Sequence, residues 1–326
     1  MKKNKEIERF LHQMIHHKYL AGASYAFFTP NFKETYYDGV MGCIEPFDHR
    51  RLEECLLYDL ASLTKVVATT TRILQMINEK KLQLSTPVCE ILSEYRYQST
   101  TIEDLLLHRS GLPAEVIDKQ LLTKETIREK VYDTNIENEM IHQTCYSDVG
   151  FILLGFVIEK LDQLSLEESF QKHIAKPLEM EHTSYHVYNK QKAIPTEITN
   201  ERGCICGEVH DSKAYLLGES GSAGLFSTLQ DLVSFGQAML SENNKLFEKE
   251  IFELLKSVTI QRRGLGWEKP YKESVLYHTG FTGTSILLDM DKKQGFILLT
   301  NRIHPDRNQT DFLVLRNKLN KIYLEE

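Results

Sequence analysis

Apolar side chains at Ile7, Phe10, Leu11, Met14 and Ile15 fall on one face of a helix running from about residue 5 to 19. Behind it, Ala23–Phe28 and Thr35–Val40 read as two strands with Pro30-Asn31 turning between them, so a hairpin opens the fold. The clearest helical pattern spans Ser62–Glu79, where Leu63, Val66, Val67, Ile73, Leu74 and Ile77 recur with no glycine or proline between them. Further helices are expected at Ile102–His108, Val149–Leu161, Leu166–His173 and Asp231–Leu240. After Gly264 the texture changes. Ser274–His278, Ser285–Met290 and Gln294–Thr300 are short β-rich runs broken by turn sequences, the pattern of an antiparallel meander.

Strands at both chain ends with helices between them predict an α/β (α+β) fold. Its antiparallel sheet is built from about residues 1–60 and 220–326, and a mostly helical region fills about 61–219. No internal repeat marks a second unit, and the 326 residues are expected to form one catalytic unit. The balance of 39 Lys+Arg against 46 Asp+Glu argues against a surface that tracks nucleic-acid phosphate. The longest apolar stretch, Phe151–Ile158, is far short of the roughly 18–20 residues needed to span a bilayer. The N-terminal lysines give way at once to mixed charges and to His12, His16 and His17, so no export signal is read and a cytoplasmic location with reduced thiols is expected.

Ser62-Leu63-Thr64-Lys65 places a hydroxyl and an amine three residues apart at the start of the strong helix, on one face. Serine is a poor nucleophile until a base takes its proton, and lysine serves only when its amine is deprotonated. The pattern alone is weak, because Ser169-Phe170-Gln171-Lys172 repeats it in a polar stretch without support. Order supplies the specificity: Tyr146-Ser147-Asp148 follows, and then His278-Thr279-Gly280.

With these three elements the chain resembles the serine β-lactamase and penicillin-binding protein superfamily, in particular its class C-like branch of esterases, D-amino peptidases and low-molecular-weight penicillin-binding proteins. Leu105–Pro113, Gly221–Thr228, Gly264–Trp267 and Leu298–Arg302 extend the likeness over about residues 58 to 305. The resemblance implies that Ser62 attacks an acyl carbon, that Lys65 is its general base and that Tyr146 passes the proton toward the leaving group. It implies an oxyanion hole from the backbone N–H groups of Ser62 and Phe281. Asp148, His278, Thr279, Gly280 and Phe281 are then expected to support or bind a small-molecule or peptide substrate, with no cofactor. Gly280 and Gly283 would let that substrate approach the strand edge.

Two positions depart from the usual pattern. Asp148 stands where the family more often has Asn, and an ionised carboxylate only accepts hydrogen bonds. An anion there favours a charged Lys65 and works against a general base unless Tyr146 or a neighbouring cation shares the task. His278 stands where many β-lactamases have Lys, so a group titrating near neutrality is expected, with pH-dependent affinity for a substrate carboxylate. These departures also motivate an alternative, a catalytically weak penicillin-binding or ligand-sensing protein. His108 is read as a turn-stabilising group after a helix. Cys204, Cys206 and His210 raise the thought of a metal, but no second paired-cysteine half accompanies them and no metal site is expected.

Overall fold

The computed structural model describes residues 2–116, 122–241 and 245–325. The chain opens with α1 (Lys2–His16), β1 (Gly22–Thr29), β2 (Phe32–Gly39) and a short β3 (Tyr58–Asp59). The middle holds α2 (Thr71–Asn78), α3 (Val88–Ile91), α4 (Ile102–Leu106), α5 (Ile127–Tyr132), α6 (Asp148–Asp162) and α7 (Leu166–Phe170). Then come a β4 (Pro195–Thr199) and β5 (Gly203–Cys206) hairpin, α8 (Ser212–Leu217), β6 (Phe226–Ser227), α9 (Leu229–Leu240) and α10 (Lys249–Ser257). β7 (Val275–Thr279), β8 (Ser285–Asp289), β9 (Gln294–Leu299) and α11 (Asp311–Leu324) close the chain.

The main sheet has the order β2-β1-β9-β8-β7, and every pairing is antiparallel. The two chain ends therefore meet at β1 and β9, as the strand pattern anticipates. Both faces are covered, which explains why β8 and β9 are buried almost throughout rather than on alternate residues. Tyr25, Phe27, Leu287, Phe296 and Leu298 face a layer formed by Ile7, Leu11 and Met14 of α1 with Phe312, Leu319 and Tyr323 of α11. Ala26, Phe28, Ile286, Leu288, Ile297 and Leu299 face the larger core with α9 and the helical region. Phe28 fits there because Gly236 and Gly295 leave its ring the space a Cβ would take.

The expected helix over Ser62–Glu79 is helical but not uniform. Ala61–Leu63 forms a 3-10 turn, Lys65–Thr70 a wider π turn, and α2 continues from Thr71. Hydroxyls take part in the widening: Thr71 Oγ1 donates to the Val66 carbonyl at 2.7 Å and Thr69 Oγ1 to the Gly221 carbonyl at 2.7 Å. α6 is central, with Val149–Ile158 buried on all sides, the composition of a helix wrapped by its own protein. Among the described residues no helix is long and apolar enough to cross a membrane.

Candidate active site

The turn that carries Ser62 is fastened before it begins. Leu60 N–H donates to the Leu225 carbonyl at 2.9 Å beside the β3–β6 pairing. Ala61 has φ of 46°, a left-handed conformation that costs a residue with a Cβ. The buried Asp59 carboxylate holds it there, accepting from Ala61 N–H at 2.8 Å and from His210 N–H at 2.7 Å. Ser62 follows, and one turn later Lys65 Nζ lies 3.0 Å from Ser62 Oγ.

Lys65 is fully buried, and its two other hydrogen bonds run to Asp148 Oδ1 at 2.7 Å and the Ser222 carbonyl at 2.9 Å. Burial by itself depresses the ammonium, but Asp148 and Tyr146 outweigh it and hold the Lys65 pKa above its ordinary value. Asp148 moves the other way. Its desolvation is overcome by Lys65 and Lys213, and its pKa is lowered to about 2. Its position in the first turn of α6 also suits an anion.

Tyr146 and Asp148 flank Ser147, the N-cap of α6, whose hydroxyl accepts from Gly150 N–H at 3.2 Å and donates to the Pro113 carbonyl at 2.6 Å. His108 braces the same segment. Its Nδ1 accepts from Ser147 N–H at 3.0 Å, its carbonyl accepts from Cys145 N–H at 2.7 Å, and its ring stacks on Tyr146 with centroids 4.5 Å apart. The Tyr146 ring is bordered by two cations, with Lys65 Nζ 4.9 Å and the Arg263 guanidinium 5.4 Å from its centroid.

On the sheet side, β7 ends at Thr279 and Gly280 packs against Leu60, two residues before Ser62. A Cβ on Gly280 would strike Thr284 Oγ1 and the Leu60 carbonyl, so close approach requires glycine there. Thr282 and Thr284 hydroxyls donate to the carbonyls of Asp59 and Leu60 at 2.8 and 3.1 Å, locking the two segments together. The middle of the β7 edge is occupied, because Glu268 and Tyr277 exchange backbone hydrogen bonds of 2.8 and 2.9 Å. His278 differs from the sequence expectation. It is buried, its ring lies within 3.0 Å of the Thr279 carbonyl through Nδ1, and desolvation together with Lys65 and Arg263 holds its pKa well below the ordinary histidine value. Its surroundings favour the neutral ring, where the sequence led to the expectation of a group titrating near neutrality.

Ser62, Tyr146, Asp148 and Phe281 share a cleft of about 550 Å³. Its lining also includes residues that carry no motif: Glu115, Asp211 and Lys213, and Glu197, Arg202 and Arg307. Lys213 is nearly inaccessible and lies 3.1 Å from Asp148 Oδ2, 2.6 Å from Glu115 and 3.1 Å from Asp211 Oδ2. No spacing rule marks it, since Glu115 and Asp148 reach it from separate segments only in the fold, while Asp211 is a local partner. Glu197 is held at about 2, chiefly by its hydrogen bonds to Arg307 against the cost of burial, with His210 adding to the effect.

The residues considered for a metal are otherwise engaged. His210 Nε2 is 2.8 Å from Glu197, and its ring stacks on Phe281 with centroids 5.4 Å apart. Burial pushes the Cys206 thiol up to about 11, and that thiol donates to the Ala193 carbonyl at 3.4 Å, while Cys204 is exposed. Among the described residues no three His, Cys, Asp or Glu side chains are grouped to hold a metal ion. The second Ser-x-x-Lys word is part of a structural network, since Ser169 is buried in α7 and donates to Asp162 at 2.6 Å, the partner of Arg72.

An antiparallel sheet made from both chain ends, with a serine and lysine paired at the foot of a helix beside it, defines a class of fold. The comparisons name it. Residues 33–318 match the Beta-lactamase family model, and the chain belongs to that family. It is 30% identical over 314 residues to an N-acetylmuramyl-L-alanine amidase of Bacillus subtilis (strain 168), covering 78% of this chain and 71% of the relative. It is 28% identical over 301 residues to a putative D-alanyl-D-alanine carboxypeptidase of Salmonella agona (strain SL483), covering 76% and 70% of the two chains. The fold is shared with a class C beta lactamase from Rhodobacter sphaeroides at a TM-score of 0.76 and 16% identity, covering 98% of this chain and 99% of that one. The chain is thus a beta-lactamase-type protein with hydrolases among its relatives.

Proposed function

We propose that the protein is a serine hydrolase working through a Ser62 acyl-enzyme on an ester, a small amide or a D-amino acyl peptide. The observation that carries this reading is the 3.0 Å contact of Lys65 Nζ with Ser62 Oγ at the floor of the cleft. The partners of Lys65 suit its role as base. Asp148 Oδ1 and the Ser222 carbonyl can only accept, whereas Ser62 Oγ can also donate. A neutral amine has two N–H groups for the two acceptors and one lone pair for the serine proton, so it is accommodated without losing a hydrogen bond.

In the reaction, the Ser62 Oγ bond to the acyl carbon forms as its proton moves to Lys65 Nζ. The N–H groups of Ser62 and Phe281 receive the oxyanion, and the bond to the leaving group breaks as Tyr146 relays the proton to it. Water then attacks the acyl-enzyme, gives its proton to the same base, and Ser62 is restored. The amidase and carboxypeptidase relatives support an amide or peptide as the substrate class. The ion pair that keeps Lys65 charged favours the second reading, a slow enzyme that retains a penicillin or other acyl ligand.

Intact-protein mass spectrometry after exposure to a fluorophosphonate, and separately to a penicillin, tests the nucleophile. A single adduct is expected on the wild type and on Ser169→Ala, and none on Ser62→Ala. An adduct that survives in Ser62→Ala rules the assignment out. A penicillin adduct persisting for hours supports the retaining protein, and clearance within minutes supports hydrolysis.

A further inference from the structure

We infer that Lys213 is a positioning residue for the acyl transfer: by holding the second oxygen of Asp148, it limits the grip of that carboxylate on the Lys65 proton. The inference rests on the acyl-enzyme reading and adds a residue to it. Asp148 is bound on both sides, with Lys65 on Oδ1 at 2.7 Å and Lys213 on Oδ2 at 3.1 Å. A carboxylate facing a single buried lysine keeps that lysine protonated, the wrong state for a base. A second cation on the same carboxylate divides its field and places a like charge one carboxyl width from Lys65.

The surroundings make Lys213 the group that sets this balance. Glu115, from the loop before α5, and Asp211, the N-cap of α8, also bind it, so two lysines face three carboxylates. Removing Lys213 leaves Asp148 paired with Lys65 and takes away the cation on its second oxygen. Among the described residues the neighbouring cations are engaged elsewhere. His108 and His278 are held neutral by burial, and Arg263 is engaged over the Tyr146 ring and with Glu268. α5, which packs on α8, turns Arg128 to Glu159 at 2.6 Å. Tyr146, another titratable neighbour, lies on the Lys65 side. Lys213 is 1% exposed and lies at the wall of the cleft.

The test follows the rate of fluorophosphonate labelling at Ser62 from pH 6 to 11.5, a range that reaches toward the raised Lys65 pKa and needs no knowledge of the substrate. In wild type the rate rises along a limb set by the loss of the Lys65 proton. In Lys213→Met the limb is expected to move at least one pH unit to alkaline, a loss of roughly tenfold or more at pH 7. Lys213→Arg, which keeps the charge, restores most of it. In an Asp148→Asn background Lys213→Met is expected to produce a much smaller shift, only that of the direct repulsion between the two lysines, since most of its effect runs through that carboxylate. Glu115→Gln, a half-exposed position, moves the limb toward acid and remains informative if the Met variant does not fold. A limb unmoved in Lys213→Met and Glu115→Gln, with only the amplitude reduced, overturns the inference and leaves the acyl-enzyme reading intact. Absence of a Ser62 adduct in wild type overturns both.

Discussion

Asp148 carries its charge in a place where few carboxylates would, between two buried lysines and largely out of water. That arrangement has a thermodynamic consequence. Its folded pKa of about 2 lies below the ordinary 3.8, so the folded state favours the anion, and the stability it contributes is fully present above about pH 4. As pH falls through 2 the contribution disappears, and the difference of pKa corresponds to about 2 kcal/mol. Urea denaturation at pH 5 and pH 2.5 checks this: the drop in stability is expected to be smaller in Asp148→Asn by about that amount. An equal drop in both proteins would place the acid sensitivity elsewhere. At this scale Ser62, Lys65, Tyr146 and Asp148 are readable from the sequence because each belongs to a short word with a chemical reason for its spacing. Lys213 is not, because Glu115 and Asp148 reach it from distant segments and its local partner Asp211 does not by itself distinguish it from a surface lysine. His278 misleads for a related reason, since its protonation is decided by desolvation and by the Lys65 and Arg263 charges around it.

The elements repeat this division between local and distant causes. Strands β1, β7, β8 and β9 are legible because their apolar runs are bounded by turn residues, and α6 because its apolar block has helical length. The π turn at Lys65–Thr70 is not legible, as it depends on Thr69 finding the Gly221 carbonyl, more than a hundred residues away. The β4–β5 hairpin, inside a region expected to be mostly helical, and the C-terminal α11 were likewise not anticipated. β4 is short and opens with Pro195, and the apolar positions of α11 face both the sheet and α1, which blurs its period. Gly221 shows how elements set the site. A Cβ there would meet the Phe151 carbonyl and lie 2.9 Å from Gly155 N, so α6 and the segment carrying Ser222 pack backbone to backbone. Gly221→Ala is therefore expected to cost about 1–3 kcal/mol through overpacking. It should also slow Ser62 labelling, because the Ser222 carbonyl that receives Lys65 must shift. A thermal melt alongside the labelling rate checks both; a destabilised protein that labels at the wild-type rate would separate the packing from the site.

For the molecule as a whole, the sheet divides two layers with different duties. One face carries α1 and α11 and holds the chain ends together, while the opposite face carries the helical region and Ser62. Because β9 and β1 are central strands contributed by opposite ends of the chain, neither end can leave without opening the sheet on which β7 and Gly280 depend. Damage to the α1–α11 layer should therefore lower global stability before it alters the chemistry. Leu319 tests this. It is completely buried in that layer, and Leu319→Ala removes apolar contacts and leaves a cavity at an expected cost of about 2–5 kcal/mol. The denaturation midpoint falls while the fluorophosphonate rate at Ser62, measured well below the transition, keeps its value and its pH limb. A rate that falls with the midpoint would mean that strain crosses the sheet from one layer to the other, through the β8 and β9 side chains packed on both faces, and that the two layers act as one.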